Sequence, residues 1–172
     1  KAVEQEIFAQ AEAQIAAIDT EKARVLVVAG AGWHPGVIGL VASRLTEKYY
    51  RPSVVIGLRD GVGKGSCRSI PGCNLFDALT ACQDTLLQFG GHAMAAGLSV
   101  AEDRVEALRE GLERFAALQL TPEDYTPVLE AAAEMDPAAL TLDLIEEITL
   151  LEPFGVGNPQ PLFFGREVTA NE

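Results

Sequence analysis

The sequence predicts an α/β fold with a mixed sheet that starts with a parallel β-α-β unit and is flanked by helices. Two continuous apolar runs, 24–29 and 53–58, are typical of strands that are buried on both faces. Between them, Ile38, Val41 and Leu45 recur at the spacing of one helix face. Because a right-handed helical crossover normally joins two parallel strands, this order predicts a parallel strand pair.

A helix is predicted over residues 2–18, ahead of the sheet. Ile7, Ala11, Ile15 and Ile18 fall on one face of this helix. The pattern has no capping residue at its start, and the chain does not begin with methionine. We therefore expect the end of a longer helix, in a piece of a longer protein.

The loop 30–36 carries His34, between the first predicted strand and the helix 37–49. A ligand at this loop would meet the free N–H groups of a helix N-terminus. It would also lie at the carboxyl edge of the strands, where open α/β sheets bind ligands. Alternatively, Trp33 packs in the core and His34 caps the helix, and the sequence leaves both interpretations open.

The third predicted strand, 62–69, follows a turn at Arg59-Asp60-Gly61. Because side chains alternate along a strand, Lys64, Ser66 and Arg68 should share one face. An arginine fork beside a hydroxyl suits a phosphate group. The alternative is an exposed edge strand with ordinary solubilising charges.

A helix from the N-cap Asn74 to about Cys82 precedes a glycine-rich stretch, 90–97, which is predicted to turn into a short strand at 98–100. Gly90 and Gly91 can adopt positive φ, let another molecule approach closely and hold an anion with their N–H groups. His92 follows them and can donate a hydrogen bond or carry charge near neutral pH. A purely structural turn is the alternative.

The remainder of the sequence predicts further helices and strands around a polar boundary. We expect a helix at 102–118, a polar break at 119–127, a strand at 128–135, a helix capped by Thr141, an irregular stretch at 152–161 and a strand at 162–168. The polar break at 119–127 predicts a domain boundary, and the irregular stretch at 152–161 predicts a linker or domain junction.

The charge is unevenly distributed along the 172 residues. The net charge is −12, yet residues 44–100 carry a net charge of +2 and residues 101–172 carry −12. Because association depends on the local field, the acidic total does not exclude a nucleic-acid partner for the central segment. The acidic final third is most simply a solvated surface.

Composition excludes several classes of site. No apolar run approaches the roughly 20 residues of a membrane span, and the polar start is not a secretory signal. Three cysteines without a C-x-x-C pair, Cys67, Cys73 and Cys82, argue against a zinc site or a disulfide framework and favour reduced thiols in the cytoplasm. With two histidines and no Asp/His cluster, we predict no catalytic residue and no metal ligand in this sequence.

Four motifs together resemble the RecJ single-stranded-DNA exonucleases, members of the DHH phosphoesterase superfamily. The glycine-glycine-histidine motif by itself occurs in the superfamily's associated substrate-binding domain, and the other three narrow the resemblance to the exonucleases. The resemblance covers almost the whole chain. The motifs are G-W-H-P-G-V-I-G-L-V-A-S-R-L at 32–45, G-K-G-S-C-R-S-I-P-G-C-N-L at 63–75, F-G-G-H-A-M-A-A-G at 89–97 and L-E-P-F-G-V-G-N-P-Q-P at 151–161.

This resemblance implies the substrate-binding half of a metal-dependent 5′→3′ exonuclease of DNA recombination and repair. It implies the end of a connecting helix over 1–19, a substrate-binding domain over 20–120, and a linker with the start of a further domain over 121–172. Within the last part, residues 128–172 would lead into an oligonucleotide-binding barrel. It also implies that Mn²⁺ or Mg²⁺ is bound by a separate N-terminal domain. It places Ser66 and Arg68 at a 5′-phosphate and His92 beside the nucleotide near the metals. The nucleic-acid contacts that we predict are His34, Lys64, Ser66, Arg68, Ser69, Gly90, Gly91 and His92.

The partners implied are single-stranded DNA with a 5′ end and, as candidates, single-strand-binding protein and other repair proteins. Two alternatives stay open. One is a phosphoesterase of the same superfamily that acts on short oligonucleotides or cyclic dinucleotides. The other is a non-catalytic interaction module, in which the acidic third docks on a basic partner.

Overall fold

The computed structural model describes residues 2–18 and 22–166. The chain divides into two compact units, Lys1–Pro127 and Val128–Glu172. The five-stranded sheet lies wholly within the first unit.

Over residues 2–18 and 22–127, the first unit contains four α-helices and five strands, joined by short loops and single 3₁₀ turns. Their order follows the predicted β-α-β start. The elements are α1 Ala2–Ile15, β1 Leu26–Ala31, α2 Pro35–Tyr49, β2 Ser53–Arg59, β3 Val62–Arg68, α3 Leu75–Ala81, β4 Leu86–Gly91, β5 Ala95–Ala101 and α4 Val105–Gln119.

The five strands form one mixed sheet in the order β1-β2-β3-β5-β4. Strands β1 and β2 are parallel, with Leu26 opposite Ser53, and the other neighbours are antiparallel. The predicted fold class, a mixed sheet with a parallel β-α-β start and flanking helices, is therefore confirmed. Strand β3 lies in the middle of the sheet, so the alternative of an edge strand at 62–69 is wrong.

Each face of the sheet has its own apolar core. On one face, Ile7 of α1 and Leu45 of α2 pack with Leu26 and Val55 of β1 and β2. On the opposite face, α3 and α4 pack across the strands, with Leu108 fully buried. Helix α2 also packs against β3 on the face that it shares with α1, above Ser66 and Arg68. Further along the same face, Lys64 of β3 and Gln88 of β4 are exposed.

The edge strand β1 is protected by side chains that occupy its unpaired backbone groups. The Gln14 amide donates to the Ala29 carbonyl (2.8 Å), and the Ala29 N–H donates to the Gln14 Oε1 (3.2 Å). From α4, Arg109 donates to the Val27 carbonyl and Glu113 accepts from the Val25 N–H. Because open strand edges can pair with other chains, these contacts both satisfy buried groups and block edge pairing.

We expect Gln14→Ala to lower the free energy of unfolding by about 1–3 kcal/mol, because it leaves a donor and an acceptor of Ala29 without partners. Urea denaturation of the variant and the parent measures the difference. Gln5→Ala is the matched control, since Gln5 lies exposed on the same helix and makes no hydrogen bond to a described residue. Equal changes in the two variants would show that the Gln14–Ala29 hydrogen bonds do not contribute measurably, because alanine is at least as good a helix former as glutamine.

Several element bounds differ from the predictions: the strand predicted at 98–100 spans Ala95–Ala101, and the helix predicted at 102–118 begins at Val105. Helix α1 ends at Ile15 rather than at 18, and residues 16–18 form a turn. The apolar run before the glycine pair, together with Gly90 and Gly91, forms the edge strand β4, so the predicted turn at Gly90-Gly91 is wrong. The strand is favoured because β5 supplies a full antiparallel partner, a long-range contact that the local glycine signal does not contain.

The capping prediction for α3 is confirmed, because the Asn74 side chain accepts from the N–H groups of Phe76 and Asp77. All three cysteines are buried, free thiols. Burial raises the pKa of the Cys67 thiol to about 12 and also raises the pKa values of Cys73 and Cys82. These thiols are therefore protonated and poorly nucleophilic near neutral pH.

The second unit contains little regular structure among its described residues. The predicted strand at 128–135 is only two residues long, and the predicted N-cap Thr141 is confirmed because its hydroxyl accepts from the Leu144 N–H. The predicted last strand is observed at two residues, while its end at 167–168 lies outside the described residues. The elements are β6 Ala133–Glu134, α5 Leu142–Thr149 and β7 Phe163–Phe164, with β6 parallel to β7.

Among the described helices, none combines the length and the apolar character needed to cross a lipid bilayer.

Candidate nucleic-acid interface

The candidate interface is the polar side of β3, β5 and β4, which we call the polar face. The polar face lies on the α2 side of the sheet. The residues between its members, Gly63, Gly65 and Cys67, belong to the other side, where α3 and α4 pack. A Cβ on Gly65, for example, would lie 2.7 Å from the Leu98 side chain. Every second residue of β3, β5 and β4 therefore contributes to it. The polar face consists of Lys64, Ser66 and Arg68 of β3, Gly97 and Ser99 of β5, and Gln88 and Gly90 of β4.

Arg68 and Ser66 form a hydrogen-bonded pair beneath α2. Arg68 Nη1 donates to the Ser66 hydroxyl (3.3 Å) and to the Cys67 carbonyl (2.8 Å), which holds the guanidinium along β3. A Cβ on Gly39 of α2 would lie 3.2 Å from Ser66 Oγ and 3.4 Å from Arg68 Nη2. Glycine at position 39 makes room for the two side chains beneath the helix. The geometry leaves a donor fork with Nη2 available for an anion.

Two glycines form the floor of the polar face beside Ser66. Gly97 lies opposite Ser66 on one side and Gly90 on the other. A Cβ on Gly90 would meet nothing within 4 Å, and a Cβ on Gly97 would come no closer than 3.7 Å to its nearest neighbour. Packing therefore does not require glycine at either position, and the flat floor lets another molecule reach the sheet.

Gly91 has the opposite character. Its φ is +145°, and a Cβ there would lie 2.5 Å from both the Ala95 carbonyl oxygen and the Ala96 Cα. The next residue, His92, donates its backbone N–H to the Ala95 carbonyl (2.8 Å) and is exposed in the loop between β4 and β5. Gly91 is thus required by the backbone of the hairpin, and it positions His92 at the end of the polar face.

His34 is the N-cap of α2, as the alternative interpretation of that loop predicts. Its Nδ1 accepts from the Gly36 N–H (3.1 Å), so that nitrogen carries no proton and only Nε2 can donate. Trp33 is 4% exposed and donates its indole N–H to Gln10 (2.7 Å). Capping and ligand binding are compatible here, because His34 and Lys64 line one hollow of about 540 Å³.

Ser69 does not join the polar face. It is 7% exposed, and its hydroxyl donates to the Cys73 carbonyl (2.7 Å) in the loop that leads to α3. Strand β3 ends at Arg68, so the alternation of faces no longer applies to the following residue. We therefore leave Ser69 out of the proposed site, and its role is to hold that loop.

A second hollow, of about 400 Å³, lies directly over the polar face. Lys64, Ser66 and Gly90 line it, together with Gln88 and Ser99, which the sequence analysis missed. The period-two pattern at Leu98–Val100 was the available signal for Ser99, whereas Gln88 required knowledge of strand β4. The structure thus brings Lys64, Ser66, Arg68 and Gly90 together, with His34 beyond Lys64 and His92 at the hairpin end.

Metal ligation has no candidate in this part of the molecule. Within residues 2–18 and 22–166, no group of three or more His, Cys, Asp or Glu side chains lies close enough together to hold a metal ion.

Comparison with protein families identifies the fold that carries this face. The model of the DHHA1 domain matches residues 22–118, which include the whole sheet. The chain belongs to the DHHA1 domain family. Later in the sequence, residues 131–172 match the model of the RecJ OB domain.

Curated relatives of this DHHA1 chain support the same family. The chain is 46% identical over 138 residues to the single-stranded-DNA-specific exonuclease RecJ of Bacillus subtilis strain 168. This alignment covers 79% of this chain and 18% of that protein. It is 36% identical over 138 residues to the RecJ of Escherichia coli strain K12, covering 77% of this chain and 24% of that protein. The chain thus spans about a quarter or less of these relatives.

Solved structures agree with the sequence relatives. The crystal structure of RecJ from Thermus thermophilus in complex with Mn²⁺ matches with a TM-score of 0.80 and 31% identity, over 95% of this chain and 24% of that one. The Mg²⁺ complex of the same protein matches with a TM-score of 0.79 and 32% identity, over 94% of this chain and 25% of that one. The resemblance to RecJ inferred from the four motifs is confirmed.

Proposed function

We propose that this chain is the substrate-binding part of a 5′→3′ exonuclease that degrades single-stranded DNA in recombination and repair. The observation that carries the proposal is the Ser66–Arg68 pair beneath Gly39, next to a floor of glycine, in a DHHA1 chain related to RecJ. A guanidinium fork with a hydroxyl is suited to a terminal phosphate, which has one more free oxygen than an internal phosphate. The flat floor beside it accepts the adjoining nucleotide.

The other residues of the site support a single strand in extended form. Lys64 makes no ion pair with any described residue, so its charge is available to the backbone of a nucleic acid. His34 can donate from Nε2 at the next hollow, and His92 lies at the hairpin end. In this proposal, the DHHA1 domain binds the DNA strand and sets the position of its 5′ end.

We place the chemical step outside the described residues. In our proposal, Mn²⁺ or Mg²⁺ is bound by another domain of the full-length protein and polarises the scissile phosphate. Single-strand-binding protein, other repair proteins and a cytoplasmic location remain predictions from the resemblance. The match of residues 131–172 to the RecJ OB domain favours the exonuclease over an enzyme for cyclic dinucleotides.

The test uses the full-length protein with Mn²⁺ or Mg²⁺ and a 5′-phosphorylated single strand labelled at its 3′ end. We expect stepwise shortening in which the labelled end survives longest, while a circular single strand stays intact. Release of the 3′ label first, cleavage of the circle, or faster hydrolysis of a cyclic dinucleotide than of the linear strand would contradict the proposal.

A further inference from the structure

A pocket of about 480 Å³ lies at the amino-terminal ends of β1 and β2, at the opposite end of these strands from the His34 loop. We call it the amino-edge pocket. Two of its lining residues, Leu120 and Tyr125, belong to the core on the α3 and α4 side of the sheet, so the pocket is separate from the polar face. Its described lining residues are Lys22, Ala23, Arg24, Arg51, Leu120, Pro122 and Tyr125.

Positive charge is concentrated around this pocket. Lys22, Arg24 and Arg51 line it, and none of its described lining residues is acidic, in a chain with 25 acidic and 13 basic residues. Arg24 pairs with Glu113 (3.1 Å), whereas Arg51 makes no ion pair with a described residue. Because no neighbouring described side chain neutralises the charge of Arg51, the pocket attracts anions.

Arg51 is held in place by the protein, which leaves one of its nitrogens for a ligand. Its Nε donates to the Ala23 carbonyl (3.2 Å), and its Nη1 donates to the Tyr50 carbonyl (3.0 Å). Its guanidinium carbon lies 4.2 Å from the centre of the Tyr125 ring. Nη2 has no partner among the described residues. A half-buried guanidinium that is held in this way loses little conformational entropy when it binds an oxyanion.

The two guanidinium groups can act on one ligand. Parallel pairing of β1 and β2 puts Arg24 and Arg51, which precede these strands, next to each other, and Arg51 bonds to the carbonyl of the residue before Arg24. Guanidinium groups donate in a planar fork that matches oxyanions. A phosphate group offers more oxygens to two forks than a carboxylate does, and the volume of the pocket leaves room for the group to which the phosphate is attached.

We infer that the amino-edge pocket is a second anion site, in which Arg51 and Arg24 bind a phosphate group. The inference goes beyond the proposed function, because the pocket uses neither the Ser66–Arg68 pair nor a 5′ end. The phosphate group belongs either to the backbone of a single strand or to free phosphate, and the same donors recognise both. When it binds a strand, the pocket adds affinity that depends on salt and not on base sequence.

Binding to the full-length protein in EDTA tests the inference, because chelation removes the contribution of metal to phosphate binding. All proteins compared carry Arg68→Ala in addition, which removes the phosphate position of the polar face. The probes are inorganic phosphate, followed by phosphorus NMR, and a circular single strand, followed by fluorescence anisotropy at several salt concentrations. We expect Arg51→Ala to weaken binding of at least one probe about three- to tenfold, and to lower the salt slope by about one where the circle is affected.

Three further variants separate a binding role from a structural one. Arg51→Lys should keep part of the affinity, because an ammonium retains the charge without the fork. Arg24→Ala should weaken the same probe, and because Arg24 is exposed, this variant keeps the test valid if Arg51 is needed for folding. Arg114→Ala is the matched control, because it removes an exposed cation that lines neither the pocket nor the hollow over the polar face.

The outcomes decide both the site and its ligand. Weaker binding of the circle identifies a strand as the source of the phosphate group, and weaker binding of inorganic phosphate alone identifies the free anion. Three results would overturn the inference: unchanged binding of both probes in folded Arg51→Ala and Arg24→Ala proteins, an equal loss in Arg114→Ala, or a loss confined to an acidic peptide.

A separate measurement keeps this inference distinct from the proposed function. In proteins that retain Arg68, Arg51→Ala should leave the kcat/KM preference for 5′-phosphorylated strands unchanged. Loss of that preference would show that the two sites are not independent and would overturn the inference. A parent protein that binds phosphate at the pocket as expected, but does not degrade single strands from the 5′ end, would overturn the proposed function alone.

Discussion

In the full-length protein, Arg68→Ala is expected to reduce the preference for 5′-phosphorylated over 5′-hydroxyl strands by about ten- to a hundredfold. Arg68 is held by Ser66 and the Cys67 carbonyl in a fixed position below Gly39, with Nη2 available. A terminal phosphate has an extra free oxygen and nearly one more negative charge than an internal one. Losing a charge-assisted hydrogen bond costs about 1.5–3 kcal/mol, which corresponds to that range of affinity.

The measurement is kcat/KM on the two substrates for the parent and the variant. Arg68→Lys should restore only part of the preference, because an ammonium cannot reproduce the fork. Arg114→Ala is the matched control, since Arg114 is exposed on α4 and pairs with Glu110 on the opposite side of the sheet. An equal loss on both substrates would show that Arg68 contacts the backbone generally, and the assignment of the 5′-phosphate position would fail.

The second large effect is a contrast between the two neighbouring glycines of β4. Gly91→Ala should lower the free energy of unfolding by about 3 kcal/mol or more, because a strained φ is combined with backbone atoms 2.5 Å from the new Cβ. Gly90→Ala should leave stability within about 1 kcal/mol of the parent, because its Cβ enters open space and alanine is preferred to glycine in a strand.

Gly90→Ala should affect strand binding rather than stability. The added methyl group would project from Gly90, beside Gly97, into the hollow over the polar face. We therefore expect this variant to bind a single strand about tenfold more weakly, with an unchanged melting temperature. Thermal melting and strand affinity are measured on the same preparations. Normal binding by a stable Gly90→Ala protein would mean that no ligand approaches this part of the sheet.

The side chains that β3 contributes to the site could be predicted from the sequence, because their common face depends only on local periodicity. The alternation that puts Lys64, Ser66 and Arg68 on one face follows from the geometry of any extended chain. The N-caps Asn74 and Thr141 could be predicted in the same way, because a cap side chain accepts a hydrogen bond from a backbone N–H two or three residues later in the sequence. Local rules of this kind fail where regularity stops, and Ser69, one residue beyond β3, is buried in a loop instead.

The sequence by itself determined the parallel β-α-β start, the polar side of β3 and the set of motifs that resemble RecJ. Only the tertiary structure decided that β4 exists, that it lies beside β5 at the edge of the sheet, and that Gln88 and Ser99 stand in one row with Lys64. It also separated Gly90, which faces open space, from Gly91, which the hairpin requires. The physical reason is that strand order and register are set by pairing between distant segments, and pairing of that kind leaves no local periodicity to read.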